Sequence, residues 1–127
     1  IVHASHEFAW WFQGTSVLSV LHGHQAEHKQ SIHYEFDYRQ GALAAGASDP
    51  DEHLLWVVRN ARHKLIHFAD PTMPPILFDL HEDPDELNDV AADPACAGPL
   101  LVLTQQLLRW RMRHEDQRAE HWSQTLR

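Results

Sequence analysis

The stretch from Ile76 to Pro94 limits what this chain can fold into more than any other part of it. An apolar run ends at Leu80 and gives way to an acidic segment, in which seven Asp and Glu residues lie between Asp79 and Asp93 without any Lys or Arg. Two Asp-Pro pairs interrupt this segment, and proline disfavours helical geometry at the residue before it. An Asp side chain there accepts hydrogen bonds from the backbone N–H groups that follow. The stretch therefore predicts a strand, a capped turn and the entry to a helix.

Three apolar runs before this stretch predict three more strands. The first alternates with polar residues in the two-residue period of a half-buried strand, and its apolar members are Ile32, Tyr34, Phe36 and Tyr38. The other two runs are Leu54 to Arg59 and Lys64 to Phe68. Short connections between successive strands favour antiparallel pairing. We therefore expect a four-stranded antiparallel sheet with all of its strands between residues 31 and 80.

The C-terminal part of the chain has the spacing of an amphipathic helix. One apolar stripe recurs at intervals of three and four residues, and it consists of Leu100, Leu103, Leu107 and Trp110. Pro99 suits the first turn of a helix. Three arginines are expected on the more exposed side, namely Arg109, Arg111 and Arg113. A helix from about residue 99 to 120 should cover one face of the sheet, which predicts an α+β fold of two layers.

The N-terminal part of the chain has a weaker pattern. Residues 1–14 contain the cluster Trp10-Trp11-Phe12 but no clean period, so they form a segment that is difficult to assign, and residues 15–127 form the predicted domain. Thr15 and Ser16 predict the cap of a short helix that ends at Gly23. The small residues between positions 41 and 50 predict a loop.

Size and charge exclude several classes of protein. A chain of 127 residues and 14.7 kDa is one domain's worth of sequence, and its formal net charge of −8 argues against partners such as nucleic acid or an anionic membrane. No apolar run approaches the roughly 20 residues that span a bilayer. We therefore expect a cytoplasmic protein. The chain begins at Ile1 and not at Met, which we interpret as part of a longer protein.

The order of these patterns resembles the C-terminal signature of the sulfatases, which belong to the alkaline-phosphatase-like superfamily of metal-dependent ester hydrolases. The resemblance rests on Leu77-Phe78-Asp79-Leu80, then Asp83 to Ala91, then Asp93-Pro94. Arg59 to Phe68 is similar to the hairpin that precedes the signature, and His63 stands where that family often has an aromatic residue.

Other segments extend the resemblance from about Gly14 to His114. Gly14 to Gly23 is similar to a short G-x-S-L-x-x-x-L-x-G segment of the family. His33 to Arg39 and Arg109 to His114 are most similar to the phosphonate monoester hydrolase branch. Residues 1–12 do not match the family's helix at the corresponding place.

The resemblance implies a parent enzyme that hydrolyses sulfate, phosphonate or phosphate esters with a divalent metal and a formylglycine, both held by a large N-terminal domain. The formylglycine would arise from Cys or Ser in C/S-x-P/A-x-R. Cys96 lacks the following Arg, and Ser48 is followed by Glu52 at the Arg position. We therefore expect no catalytic residue and no cofactor in this chain. Its expected role is structural, pocket-shaping or oligomeric, with the missing catalytic domain or a second copy of the chain as partner.

The sequence also offers two other kinds of candidate site, a metal site and a pair of carboxylates. The chain has twelve His, and the spacing in the loop from His22 through His24 to His28 makes these three the best candidates for metal ligands. Glu35 and Asp37 share one strand face and could form a carboxylate pair, although a solvated strand face explains them more simply. Two alternative functions stay open, namely a stand-alone assembly module without catalysis and a His-rich metal-binding protein.

Overall fold

The computed structural model describes residues 17–24 and 29–125, with the side chains of residues 17–24 and 29–114, and the chain divides into two units, residues 1–30 and 31–127. In the first unit, helix α1 spans Leu18–Leu21 and begins after Val17, whose side chain makes no capping hydrogen bond. Gly23 follows with a φ of 71°, a conformation that favours glycine. The predicted short helix is therefore present, whereas the proposed cap at Thr15 and Ser16 lies outside the described residues.

The second unit contains the predicted four-stranded antiparallel sheet. Its strands follow one another in the order of the chain, and they are β1 (Ser31–Asp37), β2 (Leu54–Asn60), β3 (His63–Phe68) and β4 (Ile76–Asp79). Each neighbouring pair is antiparallel. The tight turn between β2 and β3 is held by Asn60, whose side-chain oxygen accepts the backbone N–H groups of Arg62 at 2.8 Å and His63 at 2.7 Å.

A long helix forms the second layer. Helix α3 spans Ala97–Thr125, so it begins earlier than the predicted residue 99 and continues beyond the predicted residue 120. It follows directly on a 3₁₀ turn at Pro94–Cys96, and the Asp93 side chain accepts the N–H of Ala95 at 2.8 Å at the start of that turn. The cap that the sequence placed in the acidic segment is therefore present at the second Asp-Pro pair.

The hydrophobic core lies between the sheet and α3. Its fully buried side chains come from the three inner strand positions Val58, Leu65 and Leu77 and from Leu103 and Leu107 of the helix, and none is more than 4% exposed. Burial of each such side chain stabilises the fold by roughly 1.5–3 kcal/mol. The predicted stripe on the helix is therefore the one that packs, and the α+β fold class is confirmed.

Two expectations about local structure were wrong, and the structure adds a third point that the sequence left open. Residues 41–50 are not simply a loop, because helix α2 spans Arg39–Ala44 and a 3₁₀ helix spans Pro50–His53; the alanines of this stretch are strong helix formers. The acidic segment does not lead straight into a helix, because turns and irregular backbone occupy residues 80–93. Strand β1 does not bury its apolar face under α3, and Ile32 and Phe36 are 49% and 45% exposed.

Within the part of the chain that the structure describes, no helix combines the length and the apolar character needed to cross a bilayer. The predicted division of the chain at residue 14 and the cluster Trp10-Trp11-Phe12 fall on residues outside that part.

Candidate functional site

The acidic segment from Asp79 to Asp93 closes one edge of the sheet. Asp89 Oδ1 accepts the backbone N–H of Leu77 at 2.9 Å and that of Ala91 at 2.9 Å. The N–H of Val90 donates to the carbonyl oxygen of Leu77 at 2.8 Å. These bonds satisfy backbone groups of strand β4 at the edge where none of the described strands lies beside it, and an open edge of this kind invites pairing with other chains. The segment therefore protects β4.

A second tie fastens the middle of the acidic segment. Asp83 Oδ2 accepts the N–H of Asn88 at 2.7 Å. Glu86 has a φ of 56°, in the left-handed region that non-glycine residues rarely adopt. Its carboxylate pairs with the ammonium group of Lys64, and both side chains are mostly buried, at 25% and 17% exposure. This ion pair joins the segment to strand β3.

A third tie lies at the start of the segment. The guanidinium group of Arg62 donates to Asp79, with Nη2 2.9 Å from Oδ2, and His63 Nε2 lies 3.8 Å from the same oxygen. Hydrogen bonds from Arg62 hold the pKa of Asp79 below its usual value, whereas burial lowers the pKa of His63. With Asp93 at the 3₁₀ turn, five of the seven acids in the segment are thus tied to backbone or cationic groups, which gives these five a structural role.

The candidate carboxylate pair on β1 is also held by structural partners. Glu35 accepts a hydrogen bond from the indole N–H of Trp56 at 3.0 Å. Asp37 forms an ion pair with Arg39 at 2.7 Å, and hydrogen bonds from that guanidinium group lower the pKa of Asp37 to about 2. A carboxyl group with so low a pKa is not a proton donor at neutral pH. This supports the simpler interpretation of the pair as part of the strand's polar surface.

The candidate metal ligands are only partly described. The rings of His22 and His24 lie 6.0 Å apart between centroids, and His28 is outside the described residues. In the second unit, His63 is half-buried and His67 is exposed. Nowhere among the described residues do three His, Cys, Asp or Glu side chains come together in a group that could hold a metal ion. The loop from His22 to His28 therefore stays a candidate metal site.

The residues present do not fit a formylglycine site. Cys96 is half-buried at the end of the 3₁₀ turn, where it packs against the hydrophobic core. Ser48 lies just before the 3₁₀ helix that Asp49 caps, and Glu52 lies within that helix. Arg39 lies 3.3 Å from Asp51 of the same helix, so these residues form a structural turn. Neither stretch has an Arg at the place that formylglycine formation would require.

The register of the sheet defines a large, mostly apolar surface that the sequence alone did not show. The strand pairing places one set of side chains on the face opposite to α3, here called the outer sheet face. Arg59 and Lys64 lie on it at one end, and Val57 within it is only 1% exposed. Its apolar members are Ile32, Tyr34, Phe36, Leu55, Val57, Ile66, Phe68, Ile76 and Phe78. Phe36 packs edge-on against Tyr34 at 5.7 Å and parallel to Tyr38 at 6.0 Å. Single exposed apolar residues are normal on proteins, but a contiguous patch marks an interaction surface.

The second feature that the sequence did not reveal is a cleft between α3 and the ends of β2 and β3. It has a volume of about 470 Å³. The lining residues are Leu54, Leu55, Trp56, His67, Phe68, Ala69, Thr104, Leu107, Leu108, Arg111 and Met112. Arg111, expected on the exposed side, is half-buried with its guanidinium carbon 3.0 Å from the centre of the Trp56 ring. Its spacing of four from Leu107 is the signal that places it on the inner side.

Comparison with known proteins identifies the family. Residues 2–113 match the model of the N-sulphoglucosamine sulphohydrolase C-terminal family. This match begins at residue 2, so it reaches into the N-terminal segment that the motifs did not cover. The multifunctional alkaline phosphatase superfamily protein PehA of Trinickia caryophylli is 35% identical over 117 residues, which are 86% of this chain and 22% of PehA.

Solved structures agree with this result. The phosphonate monoester hydrolase of Agrobacterium radiobacter is 34% identical with a TM-score of 0.66, and that of Silicibacter pomeroyi is 32% identical with a TM-score of 0.61. Each alignment covers 80% of this chain and 21% of the enzyme, so the chain spans about one fifth of the length of these relatives. The chain therefore belongs to the N-sulphoglucosamine sulphohydrolase C-terminal family and corresponds to the C-terminal part of sulfatases and phosphonate monoester hydrolases of the alkaline phosphatase superfamily.

Proposed function

We propose that this chain acts as the C-terminal subdomain of a sulfatase-like ester hydrolase and supports a catalytic domain without performing chemistry itself. The observation that carries the proposal is the outer sheet face, which leaves Ile32 and Phe36 nearly half exposed beside several half-buried apolar neighbours. A sheet buries both faces when it lies between two layers. Helix α3 supplies one layer, and the catalytic domain would supply the other.

The size of the relatives supports the same view. The chain corresponds to about one fifth of PehA and of the two phosphonate monoester hydrolases, so most of each relative lies outside the matched region. Under the proposal, the divalent metal and the formylglycine belong to that larger part. The parent enzyme would hydrolyse sulfate or phosphonate-type esters, and this subdomain would help to shape its pocket and hold it in its folded state.

The experiment that tests the proposal is a chimera. The C-terminal fifth of the Agrobacterium radiobacter enzyme is replaced by this chain, and hydrolysis of a phosphonate ester is compared with that of the enzyme truncated before the exchanged part. We expect the chimera to be active and the truncated enzyme to be inactive or insoluble. Activity of the truncated enzyme equal to that of the chimera would contradict the proposed support.

A matched pair of substitutions tests whether the outer sheet face is the surface that contacts the catalytic domain. Phe36→Glu places a charge on the outer sheet face and should lower the yield of folded, active chimera at least about tenfold, because an unpaired charge is costly in an apolar interface. Met73→Glu is the control, since Met73 is equally exposed at 45% but lies outside the sheet. Equal effects of the two substitutions would contradict docking through this face.

Two experiments on the isolated chain distinguish the remaining alternative functions. Assayed by itself on aryl sulfates and phosphonate esters, it should give no turnover above the uncatalysed rate, and turnover comparable to the relatives would refute the absence of catalytic residues. Light scattering tests self-association. A stable dimer that Phe36→Glu dissociates would assign the outer sheet face to a second copy and favour the stand-alone assembly module.

A further inference from the structure

The outer sheet face carries its charges in one row, at the end nearest the β2–β3 turn. The strand register aligns Ile32, Arg59, Lys64 and Phe78 across the four strands in that row. The rest of the face consists of apolar and aromatic side chains. Two cations therefore lie side by side at one end of a surface that is otherwise apolar.

The two cations differ in how their charge is neutralised. Lys64 is mostly buried and pairs with Glu86, a residue of the acidic segment. Arg59 is exposed, and among the described residues its guanidinium group forms no hydrogen bond or ion pair. Of the described side chains on this face, Arg59 is thus the one whose charge is not compensated.

The outer sheet face does not complement itself in charge. A two-fold symmetric interface brings the same patch of both partners together. None of the strand residues on this face is acidic, and Glu86 is already bonded to Lys64. A symmetric dimer through this face would therefore bury an arginine from each copy without a carboxylate to accept its hydrogen bonds, which is costly. The charge distribution favours a partner of different sequence.

On the basis of the proposed function, we propose that the catalytic domain covers the outer sheet face with an apolar surface that carries one Asp or Glu at the Arg59 end, and that this carboxylate pairs with Arg59. A guanidinium group binds a carboxylate through two parallel N–H···O bonds, which fix the orientation of both groups. Arg59 thereby sets the direction in which the subdomain docks, whereas the apolar rows supply the buried area.

Charge reversal in the chimera with the Agrobacterium radiobacter enzyme tests the proposal. Arg59→Glu should lower the yield of folded, active chimera at least about tenfold, because two carboxylates would then face each other. Arg59→Lys keeps the charge without the planar fork and should retain most of the yield. Arg109→Glu is the control, since Arg109 is also an exposed arginine but lies on α3, and it should change the yield by less than about twofold.

Urea unfolding of the isolated chain separates docking from folding. Arg59→Glu should not lower the midpoint of unfolding, because it removes no described contact and places a carboxylate opposite Lys64. A lowered midpoint would mean that Arg59 serves the fold of the chain itself and would contradict the proposal.

Rescue of the reversed charge identifies the partner. In the Arg59→Glu chimera, replacing the acidic residues of the catalytic domain by Arg one at a time should restore the yield at one position. The proposal is overturned if no position restores it, or if Arg59→Glu and Arg109→Glu give equal yields while Phe36→Glu still disrupts the chimera; that second result would leave docking through the outer sheet face intact. If Phe36→Glu is harmless as well, the proposed function fails together with the proposal.

Discussion

Asp89 holds strand β4 from twelve residues away, because its carboxylate oxygen accepts the backbone N–H of Leu77 at 2.9 Å. The same oxygen accepts the N–H of Ala91, and the neighbouring Val90 donates to the carbonyl oxygen of Leu77. The side chain of Leu77 lies fully buried in the core. The acidic segment therefore does two things at one strand residue, since it satisfies backbone groups at the sheet edge and keeps a core side chain in place.

Replacement of Asp89 by Ala should destabilise the fold by about 1–3 kcal/mol, because two backbone N–H groups lose their acceptor and one of them lies at a half-buried place. Urea unfolding followed by circular dichroism measures the change in the free energy of unfolding. Asp85→Ala is the control, since Asp85 is exposed in the same segment, and it should stay within about 0.5 kcal/mol of the unmodified chain. Equal losses in the two variants would show that the charge of the segment matters and not the bond to Leu77.

Substitutions in the contact between the sheet and α3 should lower the free energy of unfolding more than Asp89→Ala does. Leu77 of the sheet and Leu103 of the helix are 0% and 1% exposed, and each change to Ala should cost about 2–5 kcal/mol through lost burial and a residual cavity. Leu87, which is 78% exposed, is the matched control and should change stability by no more than about 0.5 kcal/mol on replacement by Ala. The measurement is again urea unfolding, and a loss at Leu87 as large as that at Leu77 would contradict this assignment of the core.

The element types could be predicted because their signals are local. The period of two correctly predicted a strand at β1, and the spacing of three and four correctly predicted helix α3, in which Leu103 and Leu107 are buried as that spacing requires. Which face of β1 meets the helix could not be predicted in the same way. His33 lies on the face of Val58 and Leu65 and stacks on Trp110 at 5.1 Å, so an imidazole and not an apolar side chain fills the helix-side position.

The role of the acidic segment also depends on contacts that are distant along the chain. Local chemistry correctly assigned Asp93 as a cap, because its partner Ala95 is two residues away. The partners of Asp89 and Glu86 are 12 and 22 residues away, and only the folded sheet brings them together. The cleft was missed for a similar reason, since Trp56 and Arg111 meet only after α3 has packed across β2.

The Arg62–Asp79 pair predicts a dependence of stability on pH. The pKa of Asp79 is lowered in the folded chain by hydrogen bonds from Arg62, so the unfolded chain binds protons more readily as the pH falls. The stabilisation is present above about pH 4, the usual pKa of an Asp, and is lost as the pH falls through the folded-state pKa. Unfolding free energies measured from pH 2 to 7 should therefore show Asp79→Asn as less stable at pH 7, with a difference that shrinks in acid. A difference that is the same at pH 7 and pH 2.5 would exclude this linkage.

The ion pair between Lys64 and Glu86 makes it possible to test whether the left-handed backbone at Glu86 costs stability. Glycine at position 86 would relieve the unfavourable φ of 56°, which costs of order 1–3 kcal/mol for an ordinary residue, but it would also remove the partner of Lys64. In a chain that already carries Lys64→Met, only the relief remains, so Glu86→Gly should stabilise that variant by about 1 kcal/mol. In the unmodified chain the same change should be neutral or destabilising. The two effects, measured as a double-mutant cycle by urea unfolding, should differ by about 1 kcal/mol or more. Identical effects of Glu86→Gly in both backgrounds would mean that Lys64 and Glu86 do not stabilise one another, and that the segment is held through Asp79, Asp83 and Asp89 alone.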